Sequence, residues 1–81
     1  MHNEDGLHTP EKRAMNSELL ADLEHALESL SPKLRAAIAL TSMQRISPSE
    51  AAAIEQCSTA TMYWRIHQAR KLLKQKIERH L

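Results

Sequence analysis

The stretch from Ser47 to Leu81 constrains the fold most, because a short helix, a break and a long basic helix are written there in order. Ser47-Pro48-Ser49-Glu50 opens the short helix as a capping box. The Ser hydroxyl meets orphan amides, Pro takes the first helical position, and Glu follows three residues after the cap. Ala51, Ala52, Ala53 and Ile54 keep that helix thin, so a second helix can cross it closely. Gln56-Cys57-Ser58 interrupts the run, and Ser58 is placed to cap a new helix opening at Thr59. That helix extends to about Arg79. Its Met62, Ile66, Ala69, Leu73 and Ile77 step by four, three, four and four along one apolar stripe.

The front half is also helical. Asn16 or Ser17 can cap a first helix in which Leu19, Leu20, Leu23, Ala26, Leu27 and Leu30 recur at helical spacing. Ser31-Pro32 ends it and starts a second, whose buried face is Leu34, Ala37, Ile38 and Thr41 (or Leu40), closed by Gln44-Arg45. No segment alternates like a strand. Residues 1–15 are polar and aperiodic and read as a flexible tail or linker remnant, leaving residues 16–81 as one domain. The expected fold is all-α, four helices ending in a helix-turn-helix, with no wing. Its core should hold Leu23, Leu27, Leu30, Leu34, Ile38, Ile54, Met62, Ile66 and Ala69.

The net charge of +1 hides a strong gradient. Residues 1–30 carry two basic and seven acidic side chains, a net −5, while residues 57–81 carry six basic and one acidic, a net +5. The positive end is a single helix, which points to a polyanionic partner. A short helix, a tight turn and a basic helix are the parts with which a helix-turn-helix enters a DNA major groove. The single Cys57 excludes an internal disulfide, and no apolar run reaches the roughly 20 residues that cross a bilayer. The first residues lack the pattern of a secretory signal, so a cytoplasmic protein is expected. Gly6 is the only glycine, which leaves no phosphate loop, and no Ser-His-acid set suggests catalysis. No enzyme activity, cofactor or metal is expected. Cys57, His67 and His80 match no zinc spacing, and Cys57 reads as a small buried hydrophobe.

The candidate DNA-binding residues are Ser58, Thr59, Thr61, Tyr63, Trp64, Arg65, His67, Gln68, Arg70 and Lys71. Ser58, Thr59 and Thr61 offer hydroxyls and helix-start amides to phosphate, beside the capping role of Ser58. Arg65, Arg70 and Lys71 sit where a recognition helix meets the groove and its walls, although Arg65, next to Ile66, can instead anchor the turn. Gln68 can pair in bidentate fashion with adenine. Tyr63 and Trp64 either fill a core without Phe or press on thymine methyls, and the reading adopted is Trp64 partly buried and Tyr63 exposed. Lys74, Lys76 and Arg79 read equally well as a solvated face.

Several motifs resemble a known family. Residues Ala26 to Arg35 look like the "ALxxLPPRLR" that opens region 4 of bacterial sigma factors, especially the extracytoplasmic-function group. Ile46-Ser47, Glu50, Ala52 and Ile54 fall where that family writes "LSYEEIAEIL". Residues Cys57 to Met62 fall on its "CSxGTV", and Arg65 to Leu73 on its "RLHRARKLL". The match covers about residues 20–77. It implies a domain that binds the promoter −35 element as double-stranded DNA, docks on the β-subunit flap of RNA polymerase, and is held by an anti-sigma factor where one exists. Gln56 replaces the Gly that usually breaks the two helices, Tyr63-Trp64 replaces Lys-Ser, and Gln68 replaces a basic residue. These last positions face DNA in the family, so its target sequence does not transfer. The region that holds the −10 element has no counterpart here, so the resemblance implies a C-terminal domain, excised or a natural fragment. Two other readings stay open: a helical module held by an anti-sigma factor or other regulator, and a different helix-turn-helix transcription regulator.

Overall fold

The computed structural model describes residues 10–80, with side chains for 17–78 and 80. Four α-helices follow one another: α1 (Pro10–Ser29), α2 (Pro32–Ile38), α3 (Pro48–Ile54) and α4 (Thr59–Ile77). A π-helical turn, Ala39–Met43, extends α2, and a 3₁₀ turn, Glu78–His80, ends α4. The described residues contain no strand, as the all-α expectation requires. Asn16 and Ser17 fall inside α1 rather than at its cap. The first residue of α1 is Pro10, whose fixed φ suits a helix start. Residues 1–9 of the expected tail lie outside the described residues.

Serine starts three of the four helices. The Ser31, Ser47 and Ser58 hydroxyls accept hydrogen bonds from the amides of Leu34, Glu50 and Thr61 at 3.4, 3.2 and 3.0 Å. Each satisfies an amide that has no partner within its own helix. The end of α1 is finished from outside. Arg35 of α2 donates from Nε to the carbonyl of Leu27 (3.2 Å), and from Nη2 to those of Glu28 (3.2 Å) and Leu30 (3.0 Å). A guanidinium there meets both the orphan carbonyls and the negative end of the helix dipole.

The π turn widens the chain just before the corner to α3. The Gln44 amide reaches back five residues to the Ala39 carbonyl at 3.0 Å, and the Thr41 hydroxyl donates to the Ala37 carbonyl at 2.7 Å. Arg45 then turns with φ 59°, and Leu40 and Ile46 pack on the core.

The core has two parts, both on α4. Ala37, Ala51, Ala52, Met62 and Ile66 form one, with Leu40, Ile46 and Cys57 against it. Leu30, Ile38 and Ala69 form the other, with Leu27, Leu34 and Leu73 against it. The alanines of α3 bring its backbone close to Met62, which is fully buried. Burying such a side chain contributes about 1.5–3 kcal/mol. Leu23, Leu27 and Leu34, expected inside, are half-buried.

Ile54 corrects the expected core: it is 55% exposed. The inward stripe of α3 is Pro48, Ala51, Ala52 and Glu55, and Ile54 lies about 110° to its side. At its far end, α4 is tied to α1 by His80 Nε2 at 2.7 Å from Asp22 Oδ2.

Candidate nucleic-acid interface

The turn between α3 and α4 sets the presentation of α4. Gln56 takes φ 56°, the left-handed conformation that glycine adopts without penalty. Its amide bonds to the Ala53 carbonyl (3.2 Å), and that of Cys57 to the Ala52 carbonyl (2.9 Å). These two bonds form a Schellman motif with Gln at the usual Gly position. Cys57 is half-buried and packs on the cluster containing Ala52, the hydrophobic contact that often accompanies such an end. The turn is thus closed without a glycine.

At the start of α4, one hydroxyl serves two partners. Ser58 Oγ accepts from the Thr61 amide and lies 2.9 Å from Thr61 Oγ1, to which it donates. The Thr61 hydroxyl then keeps its own proton for an acceptor outside, such as a phosphate oxygen. Ser58, Thr59 and Thr61 are all exposed.

Met62, Ile66 and Ala69 are buried and fix the inward direction of α4. Turning outward from them, at about 100° per residue, the side chains fall into sectors. Trp64, His67 and Lys71 point most nearly away from the core, and all three are exposed. Tyr63 and Arg70, also exposed, form one shoulder. Arg65 and Gln68 belong to the other side and are half-buried. The ten candidate residues therefore line the start of one helix without sharing a single face.

Trp64 departs from expectation. It is 60% exposed, as open as Tyr63 at 58%. The cause is its position two residues from both Met62 and Ile66, which puts it on the opposite side of the helix. Lys74, which the sequence leaves open between a contact residue and a solvated face, lies beside three of the candidates. His67, Arg70, Lys71 and Lys74 line one shallow concavity along α4. Their spacing of three, one and three residues is the sequence signal that would have grouped them.

Comparison with known proteins decides the family. The sigma-70 region 4 profile matches residues 20–73, covering α2, α3 and most of α4. The chain belongs to the sigma-70 region 4 family. Among curated proteins, this region 4 domain is similar to the ECF RNA polymerase sigma factor SigE of Mycolicibacterium smegmatis, with 37% identity over 71 residues. That alignment covers 88% of this chain and 28% of the relative. The chain thus spans well under half of that relative's length, and the likeness supports the extracytoplasmic-function assignment of the domain.

Proposed function

We propose that this region 4 domain places α4 in the major groove of a promoter −35 element while the β-subunit flap of RNA polymerase holds the domain in position for transcription initiation. The observation that carries the reading is the outward face of α4. Its cationic side chains Lys71 and Lys74, with Arg70 on the adjoining shoulder, stand on a helix whose start is capped by Ser58 and whose inner face is locked by Met62 and Ile66. Phosphate contacts from such a helix fix register, and the side chains nearest the groove floor read the bases. Among the described residues, no helix is long and apolar enough to cross a membrane. A cytoplasmic setting follows from a polymerase partner, and the reading assigns the domain no catalytic step.

Selection from a random duplex library at two salt concentrations tests the proposal. Enrichment of a common motif at both salts is expected, with total recovery falling as salt rises. Recovery without any enriched sequence would reduce the domain to a nonspecific cation. Binding only to an acidic anti-sigma partner would favour the protein-interaction reading.

A further inference from the structure

Trp64 is an unusual residue to leave 60% exposed in a chain with only one Trp and one Tyr. Its position about 200° from Met62 and from Ile66 makes it the outermost side chain of its turn. Ala60, one turn earlier, is exposed and ends at its Cβ, so the indole can be approached from the helix start. His67 and Lys71, both exposed, stand beyond it on the same outward side. A large apolar surface therefore sits where the helix is most accessible, with the Lys71 ammonium two turns beyond it on the same side.

An anionic partner that offers an apolar group at the middle of the contact complements this surface. The C5-methyl of thymine is the apolar group that base edges present in the major groove. We infer that Trp64 reads thymine through that methyl group, a specificity-determining contact that rests on the DNA-binding function proposed above. The indole covers the methyl while Lys71, two turns further along the same side, and Arg70, on the shoulder beside it, hold phosphates. Its Nε1–H remains a donor for a neighbouring acceptor such as thymine O4. The Ser of the resembled motif at this place is smaller and carries a hydroxyl, so it offers far less apolar surface to a methyl group. Position 64 accordingly changes the kind of readout as well as its strength.

Replacing thymine by uracil removes the methyl and leaves every hydrogen-bonding group in place. The 81-residue chain is first used to select its preferred duplex. Each thymine of that duplex is then replaced in turn by uracil. Affinity is measured for the wild type, for Trp64→Ala, and for Trp64→Ser, which restores the family residue. Circular dichroism melts check that the variants fold, as expected for an exposed side chain. One uracil replacement should weaken wild-type binding about three- to fivefold, the worth of one buried methyl, and leave both variants unaffected.

Wild-type binding that is indifferent to every uracil replacement would overturn the inference while leaving DNA binding intact. Equal sensitivity of wild type and variants at the same base would assign the methyl to another side chain. A Trp64→Ala protein that keeps duplex affinity but loses RNA polymerase would make the indole a protein anchor, which also overturns it. Failure of the wild type to bind any duplex at low salt would remove the DNA-binding function itself, an outcome distinct from the other three.

Discussion

Along α4, the inward and outward faces differ in how far they follow the family pattern. Met62, Ile66, Ala69 and Leu73 stand where the family writes Val, Leu, Ala and Leu, so the inner face keeps its apolar character. Between these positions, Tyr63-Trp64 stands where the resembled motif has Lys-Ser, and Gln68 where it has a basic residue. The inner face is fixed by close packing against alanines, where one methylene too many or too few is felt. The outer face is fixed only by its partner. A domain built this way can keep its fold while its contact surface changes.

The largest expected effect lies on the inner face. Ile66 is 6% exposed and packs with Met62 and Ala52, so Ile66→Ala should destabilise the domain by about 2–5 kcal/mol. In a small domain that is a large part of the total stability. A thermal melt matching that of the wild type would break the contrast between the faces at once.

Next comes the clamp between α1 and α2. Arg35→Ala removes three donor contacts to the end of α1 and should cost about 1–2 kcal/mol, discounted because the pair is partly exposed to water. Amide exchange should rise first in the last turn of α1. An unchanged exchange pattern would mean that water replaces the guanidinium without loss.

The smallest effect sharpens the comparison at the turn. Gln56 holds φ 56° without being glycine, so Gln56→Gly should raise stability by about 0.5–1 kcal/mol while leaving DNA affinity unchanged. A denaturant titration measures it. Destabilisation would show that the Gln side chain contributes more than its backbone conformation costs.

These particulars also show what could be read from the chain alone. The caps at Ser31, Ser47 and Ser58 were legible, because a short hydroxyl side chain beside a helix start acts locally. The stripe from Met62 to Ala69 was legible because a long helix repeats its period several times. Ile54 was not, because α3 has only seven residues and its inward direction is decided by where α4 crosses it. The π turn at Ala39–Met43 is accompanied by a bond from Thr41 to a carbonyl four residues back, one of several conformations that Thr allows. The Arg35 clamp joins groups up to eight residues apart across a corner, so no helical period reveals it. In the candidate site, residue types, order and the spacing that groups Lys74 with His67, Arg70 and Lys71 were legible, whereas the degree to which Trp64 stands open required the geometry.

The central claim is that the outer face of α4 binds DNA independently of the packing beneath it. The salt dependence of duplex affinity for the wild type and for Lys71→Gln tests it most directly, with melts recorded on the same samples. Lys71 is fully on the outward side and exposed, so its replacement should leave the melt unchanged. The wild type should show a log–log slope on the order of −3 to −5, and the variant a slope shallower by about one, with affinity lowered alike for all sequences. A salt-independent wild-type interaction, or an unchanged slope in a correctly folded Lys71→Gln protein, would contradict the account.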